Sequence, residues 1–261
     1  MTITEGSPLV LRWLEDRVDV EVGGRLCAGD GVLFGGWALA AAADVAARYA
    51  GRPVRSVSLD FLEPVMIGQT LSLTIDVLSA SARAAHLRVA GHVGPRPVLA
   101  ALVFVAEDGE QVGRRWDSMP SVPRPAACPQ RTYRFNIAGS ISEILDVRLA
   151  SPEPTPGDDH DGHVLLWGRL LVAGPTPAVV AVLADHVAYL VVRSIASIER
   201  ASTVTASVHF TGRECTEWTL LDVRLRWTDD RYCVGGVTLW DQEGRILGLG
   251  EQLVRTARVA E

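Results

Sequence analysis

The order of apolar and polar positions predicts a helix followed by strands in the first half of the chain. Residues 34–49 are rich in alanine, follow several glycines and stop before Gly51 and Pro53, which is typical of a helix with a defined end. Short segments with β-branched residues or alternating polarity come next, separated by turn residues, and they predict antiparallel strands. These strands cover residues 54–62, 70–78, 84–92 and 97–106.

The same plan returns in the second half, so the chain holds an internal repeat. The letters SVSLDF at 56–61 recur as TASVHF at 205–210, and Thr70-Leu71 recurs as Thr219-Leu220, both displaced by 149 positions. An offset this long suits a duplicated domain and is too long for a solenoid repeat. A strand is predicted at 164–172 and a helix at 177–195, with later strands at 203–211, 218–227, 233–241 and 245–256.

These elements define an α+β protein made of two modules, each with one helix beside a curved antiparallel sheet. A helix that a sheet wraps should be apolar on nearly all sides, and both predicted helices are. Several prolines between residues 113 and 130 predict the connection between the modules. We therefore expect an N-terminal module over 1–112, a linker over 113–130 and a C-terminal module over 131–261. A second proline-rich segment, 151–163, is expected to be a surface loop.

Composition narrows the classes of function. The hydrophobic fraction of 48% is ample for a buried core, the formal charge is −6, and every basic residue apart from histidine is an arginine. Without lysine there is no phosphate-loop lysine, Schiff-base lysine or Ser-Lys dyad. An acidic chain without a basic run also lacks the charge that drives nucleic-acid binding, so no nucleic-acid partner is expected.

The cysteines and the apolar runs bear on the cellular compartment. Cys27, Cys128, Cys215 and Cys233 have no CxxC spacing, which argues against a zinc site and against a small disulfide framework. The first residues carry no basic, signal-like segment, and no apolar run approaches 18 residues. We expect reduced thiols, a cytoplasmic protein and no membrane partner.

Asp185 and Gln252 are polar residues in apolar surroundings. Asp185 lies within the most apolar stretch of the chain, where a carboxylate should have a raised pKa and needs a partner. The alternative is an Asp that is exposed or simply hydrogen-bonded where the modules meet. By alternation, Gln252 shares the inner face of its strand with Gly250 and Val254, where an amide needs a polar contact or satisfies a local backbone group.

Several motifs, in this order along nearly the whole chain, resemble the double hot-dog acyl-CoA thioesterases of the type II family. They are Phe34-Gly35-Gly36 at the start of a helix, Phe61-Leu62-Glu63-Pro64 with Gly68, Trp167 within a strand, Ala184-Asp185-His186, and the closing segment 241–252. The resemblance implies a double hot-dog fold, with one continuous curved sheet around the helices. It also implies hydrolysis of an acyl thioester, on CoA or on a carrier protein, without a cofactor or metal and with the option of a homo-oligomer.

The resemblance also implies an Asp, a Ser or Thr, and a Gln around one water. By position these are Asp185, Thr203 and Gln252. Strict alternation would turn Ser202 inward instead of Thr203, so Thr203 needs a β-bulge to reach the site, and Ser202 is the substitute.

In the implied mechanism Asp185 accepts a proton from a water that attacks the thioester carbonyl, with no covalent serine. Gly35, Gly36 and Trp37 are the predicted substrate-binding residues. Backbone amides near Gly36 and Trp37, at a helix N-terminus, are suitable donors to the carbonyl oxygen.

The chain departs from the family pattern at two places. Trp37 stands where a Gln commonly follows the Phe-Gly-Gly run, and Thr205-Ala206 replaces an acidic residue followed by His. Two other functions therefore stay open. One is a dehydratase or isomerase on the same scaffold, although the chain has no Gly-Asp-x-Asn-Pro-x-His run. The other is an acyl-binding module without catalysis.

Two further groups of residues are candidate sites. Asp44 lies on the first helix, where single hot-dog thioesterases carry a catalytic Asp, so a second site is an alternative to a solvated helix face. Residues 158–163 are rich in Asp and His, but the proline-rich segment supplies no regular spacing, so we expect a solvated acidic loop and no metal.

Overall fold

The structure is a computed structural model that describes residues 6–109, 116–132, 138–196 and 198–258. Within these ranges, twelve strands form one antiparallel sheet. The strands are β1 (Arg12–Trp13), β2 (Val18–Glu21), β3 (Val54–Phe61), β4 (Thr70–Ala80), β5 (Ala84–Val93), β6 (Arg96–Ala106), β7 (Leu145–Leu149), β8 (His163–Leu170), β9 (Ile198–Phe210), β10 (Thr219–Thr228), β11 (Tyr232–Asp241) and β12 (Ile246–Arg258). The short strands β1, β2 and β7 are not among the strands predicted from the sequence.

The sheet consists of two halves that meet at its centre. Its strand order is β1-β2-β4-β5-β6-β3-β9-β12-β11-β10-β8-β7, so β3 of the first half pairs with β9 of the second. At this junction Ser58 lies opposite Ser207, and these two residues are related by the repeat offset of 149. The duplicated sequence has therefore folded with approximate twofold symmetry about the β3–β9 pair.

A β-bulge occurs at corresponding positions in the two halves. In β3, Val54 pairs with Val105 and Ser56 with Phe104, which leaves Arg55 as the extra residue. In β9, Thr203 pairs with Val254 and Thr205 with Leu253, which leaves Val204 as the extra residue. The repeat thus extends to the irregularities of the backbone, and positions 149 apart can be compared directly.

The helices pack on each other and on the sheet. Helix α1 (Gly35–Ala50) contacts β3, β5 and β6, and ends at Gly51, whose φ of 63° is the left-handed conformation that glycine adopts readily. The second half has two helices, α2 (Thr176–Ala184) and α3 (Val187–Ser194), which contact β8 to β12. The prediction of one helix over 177–195 is wrong at Asp185 and His186, where the backbone leaves the helical conformation.

The interior is one large apolar cluster between the helices and the sheet. Helices α1 and α2 approach closely at Gly36, where an added Cβ would lie 2.6 Å from the Cα of Val182. Among the described helices, the combined stretch Thr176–Ser194 has the length and mean hydropathy, 1.4, of a membrane span, and 61% of it is buried inside the protein. Burial in the core accounts for that apolar character.

The proline-rich segments pack on the outside of the modules. Trp167 donates its indole N–H to the carbonyl of Pro123 at 2.9 Å, so the predicted linker covers a second, smaller apolar cluster that includes Trp218 and Trp240. In the loop 151–163, Glu153 accepts hydrogen bonds from Tyr189 and Arg193 of α3. The module boundaries at 112 and 131 stay a prediction.

Candidate active site

Asp185 lies in the short break between α2 and α3, at the centre of the molecule, and is 8% exposed. Its Oδ2 accepts the backbone N–H of Gly36 at 2.8 Å, and its Oδ1 accepts from Nε2 of Gln252 at 2.5 Å. The carboxylate therefore joins three parts of the fold: the helix break, the N-terminus of α1 and strand β12.

The environment of Asp185 has opposing effects on its pKa. Burial raises the pKa above the usual range for Asp, and hydrogen bonds from Gln252, Gly36, Thr203 and Gly35 offset part of that rise. The N-terminus of α1 also favours negative charge. A carboxylate with a raised pKa that its neighbours still hold in place is suited to accept and return a proton.

Gln252 faces inward from β12 and is 3% exposed, as the alternation along the strand predicts. Its Oε1 accepts the backbone N–H of Val187 at 3.0 Å. Because a backbone N–H can only donate, this contact fixes the carbonyl end of the amide and turns the NH₂ group toward Asp185. Gln252 is thereby held as a donor to the carboxylate.

Thr203 reaches the site through the bulge that the sequence required. Because Val204 is the extra residue, Thr203 lies opposite Val254, whose side chain is fully buried on the inner face. The Thr203 hydroxyl is among the groups that lower the pKa of Asp185, after burial has raised it. Ser202 pairs with the exposed Arg255, which places it on the outer face. The geometry favours Thr203 over Ser202.

The start of α1 surrounds the carboxylate closely. An added Cβ at Gly35 would lie 2.7 Å from Oδ2 of Asp185 and 3.0 Å from Phe61, so only glycine fits there without a shift. The amides of Gly36 and Trp37 donate to Asp185 and to the carbonyl of Phe34, respectively. The predicted role of these amides in binding a substrate oxygen stays a prediction, since both serve protein groups in this structure.

Trp37 is 2% exposed and belongs to the large core cluster. Its indole N–H has no hydrogen-bond partner within the described part of the chain. In this structure the ring is a packing element at the start of α1, and its contact with substrate stays a prediction.

The other candidates lie apart from this cluster. Both carboxylate oxygens of Asp44 accept from Arg48, at 2.8 Å from Nε and 3.0 Å from Nη2, on the solvent side of α1. This ion pair with Arg48 favours the interpretation of Asp44 as part of a solvated helix face over the interpretation as a second site. In the segment 158–163, His160 contacts the carbonyl of Ser194 and His163 contacts Asp222. Across the described ranges, no group of three or more His, Cys, Asp or Glu residues is placed to hold a metal.

His186 was not predicted as a site residue. It is 2% exposed, and its Nδ1 lies 3.0 Å from the carbonyl of Leu183, next to Asp185 in the helix break. The sequence did hold a signal, since a second polar residue adjoins Asp185 in an apolar run. Its contact partner could not be inferred from a pattern that predicted an unbroken helix.

Comparisons with known proteins identify the family. The model of the acyl-CoA thioesterase N-terminal domain matches residues 23–106, and that of the C-terminal domain matches residues 117–256. No curated protein sequence matches the chain.

Solved structures share the fold of this chain. A protein from Novosphingobium aromaticivorans, provisionally assigned as a thioesterase, is 30% identical with a TM-score of 0.84 and covers 97% of this chain and 100% of its own. A provisionally assigned thioesterase II from Thermobifida fusca is 17% identical with a TM-score of 0.81, covering 96% of each chain. The dehydratase domain of RzxB from Pseudomonas fluorescens, 12% identical with a TM-score of 0.57 over 98% of this chain and 100% of that one, shares the fold alone.

Two hot-dog modules around one buried cluster define a double hot-dog protein, which confirms the predicted fold class. The chain belongs to the acyl-CoA thioesterase family. It is a thioester hydrolase.

Proposed function

We propose that the protein hydrolyses acyl-CoA by direct attack of a water that Asp185 activates together with Thr203 and Gln252. The observation that carries the proposal is the buried Asp185 carboxylate, which contacts Gly36 and Gln252 and whose pKa burial raises. The reaction class follows from the family, and the mechanism is inferred from the positions of these residues.

Three side chains take part in the proposed reaction, those of Asp185, Gln252 and Thr203. Asp185 accepts a proton from the water while the water oxygen forms a bond to the thioester carbonyl carbon. Gln252 uses one N–H to hold Asp185, and its second N–H can donate to the water oxygen. The Thr203 hydroxyl donates to Asp185, and its oxygen can accept a hydrogen bond from the water.

When the tetrahedral intermediate collapses, the carbon–sulfur bond breaks and Asp185 returns the proton to the leaving thiolate. The products are a carboxylic acid and a free thiol, so no covalent enzyme intermediate and no cofactor are required. The N-terminus of α1 stabilises the charge of Asp185 through Gly36 at the stage when the carboxylate must be ionised.

A thiol-release assay over acyl-CoA substrates of increasing chain length tests the proposal, with Asp185→Asn as the decisive variant. We expect kcat to fall by about 10³-fold or more, because the proposed base is lost. Asp44→Asn is the matched control: it removes a carboxylate from α1 that is already paired with Arg48, and it should keep wild-type turnover. Undiminished hydrolysis by Asp185→Asn would refute the mechanism.

The same substrates discriminate the other functions. Binding of acyl-CoA without thiol release by the wild-type protein would favour an acyl-binding module. Addition or loss of water on an enoyl or hydroxyacyl thioester would favour a dehydratase.

A further inference from the structure

At the break between α2 and α3, the helical hydrogen bond from Val187 to Leu183 is replaced by two side-chain contacts. In a continuous helix the N–H of Val187 would donate to the carbonyl of Leu183, four residues earlier. Here the N–H of Val187 donates to Oε1 of Gln252, and the carbonyl of Leu183 accepts from the ring of His186, each at 3.0 Å. The Val187 N–H and the Leu183 carbonyl are thus both satisfied without water, as buried polar groups require.

In the first half of the chain, the equivalent positions lie at the N-terminus of α1 and lack these side chains. At the offset of 149, Leu183 and Val187 correspond to Phe34 and Ala38, and Ala38 keeps the helical bond, donating its N–H to the carbonyl of Phe34 at 3.4 Å. The replaced bond is therefore a property of the second half.

At four positions of the site, the second half has a polar side chain where the first half has glycine or an apolar side chain. Where the second half has Asp185, His186, Thr203 and Gln252, the first half has Gly36, Trp37, Val54 and Val103. The side chain of Val103 cannot accept the N–H of a helix, and the indole N–H of Trp37 makes no hydrogen bond to the Phe34 carbonyl or to any other group in the described part of the chain. His186 is thus one of four polar replacements that occur together.

The ring of His186 is fixed in position and in protonation state. A carbonyl oxygen can only accept, so Nδ1 carries the hydrogen in its contact with Leu183. Burial, followed by the charge of Arg131, lowers the pKa of His186 to about 3, which keeps the ring neutral at physiological pH. Phe34 and Tyr189 pack edge-on against the ring, with centroids at 6.4 and 6.5 Å.

We infer that His186 is a positioning residue of the hydrolytic site: its Nδ1–H holds the Leu183 carbonyl, keeps the helix open at Asp185, and leaves the Val187 N–H for Gln252. The inference rests on the proposed function, because it concerns the carboxylate assigned as base. Without this donor the Leu183 carbonyl would compete for the Val187 N–H, Gln252 would lose its anchor, and Asp185 would lose its fixed orientation.

His186→Asn and His186→Leu form a matched pair for the test. Both side chains branch at Cγ and remove the ring, but the Asn amide can place an N–H where Nδ1 stands, whereas Leu cannot. We expect kcat for His186→Leu to fall about 10- to 100-fold with KM within about twofold, since a misoriented base affects the chemical step more than binding. His186→Asn should stay within about threefold of wild-type kcat.

A double variant separates positioning from a general loss of packing. In Gln252→Leu the Val187 N–H is free to return to the Leu183 carbonyl, so adding His186→Leu should lower kcat by less than it does alone. Fully additive losses would contradict the inference, as would wild-type kcat in His186→Leu when Asp185→Asn is inactive. Activity in Asp185→Asn would instead contradict the proposed function.

Thermal unfolding of each variant shows whether it folds. Should His186→Leu not fold, His186→Asn decides through its pH profile of kcat/KM. An acid limb that coincides with that of the wild-type protein supports the inference. A displaced limb or a tenfold lower kcat in the folded Asn variant overturns it.

Discussion

The backbone N–H of Gly36 donates to Oδ2 of Asp185 at 2.8 Å, and the two residues are 149 positions apart, the same offset that relates the two halves of the chain. Equivalent positions of a duplicated module thus meet near its pseudo-twofold axis. One contributes only a backbone amide and the other a carboxylate. The repeat brings the two positions together, and the difference in sequence between the copies gives the contact its chemistry.

Gly35→Ala should impair catalysis without a change in charge. The new Cβ would lie 2.7 Å from Oδ2 of Asp185, so the carboxylate has to move. We expect kcat to fall by about tenfold or more and stability to fall by about 1–3 kcal/mol, as for other overpacked sites. Steady-state kinetics and urea unfolding measure the two effects. Gly23→Ala is the control, since its Cβ would meet nothing within 4 Å, and equal effects in both variants would contradict the prediction.

The double variant Asp185→Asn with Gln252→Glu should recover stability but not activity. In the single variant Asp185→Asn, the NH₂ group of the new side chain must face another donor, either the N–H of Gly36 or the N–H of Gln252. Gln252 cannot turn its oxygen toward this NH₂ group, because the N–H of Val187 fixes the orientation of its amide. That mismatch should cost about 1–3 kcal/mol.

The Glu at position 252 removes the mismatch, since one oxygen accepts from Val187 and the other from the Asn. The carboxylate then sits on β12, away from the N-terminus of α1. Unfolding free energies and thiol release on all variants check both expectations. Wild-type turnover in the double variant would show that the location of the carboxylate does not matter.

The pH dependence should follow from the raised pKa of Asp185. If the ionised form is the base, kcat/KM falls as pH falls through this pKa, above the value of about 3.9 for an unperturbed Asp. The stability effect has the opposite sense, because a raised pKa means that the folded state binds the proton more tightly. Its contribution is complete below the unfolded pKa and is lost as pH rises through the folded pKa.

The unfolding free energy of the wild-type protein minus that of Asp185→Asn should therefore decrease as pH rises. Urea titrations across the acid-to-neutral range measure this difference. A difference that grows with pH would mean that the pKa of Asp185 is lowered in the folded state.

Thr203 and Ser202 should differ sharply although they are neighbours. Thr203→Val removes the hydroxyl that the bulge turns inward, and kcat should fall about 10- to 100-fold, while Thr203→Ser keeps most of the activity. Ser202→Ala should be neutral, since Ser202 lies opposite the exposed Arg255. Thiol-release kinetics on the three variants check this, and a larger loss from Ser202→Ala than from Thr203→Val would reverse the assignment.

Much of this arrangement could be read from the chain. The repeat, the inward face of Gln252 and the apolar surroundings of Asp185 are all visible in the local order of residues, which depends on neighbours a few positions away. The need for a bulge at Thr203 was visible because alternation and the family pattern disagreed there. The bulge after Thr203, with Val204 as the extra residue, is confirmed in the structure.

The helix break was not predictable in the same way. Residues 177–190 are apolar apart from Asp185 and His186, and this pattern favours one continuous helix. The bond that would continue it is lost because Gln252, 65 residues beyond Val187, takes the N–H, and because His186 satisfies Leu183. A contact between distant residues leaves no mark on local periodicity.

The sequence by itself determined two α+β modules, their common offset and the residue types of the site, because burial patterns and turn residues act locally. Only the tertiary structure decided which atoms meet: Oδ2 of Asp185 with the amide of Gly36, Oδ1 with Gln252, and the ring of His186 with the Leu183 carbonyl. The physical reason is that a buried polar group takes whichever partner the packed fold brings within about 3 Å. For Asp185 and Gly36, that choice is made across the interface of the two halves.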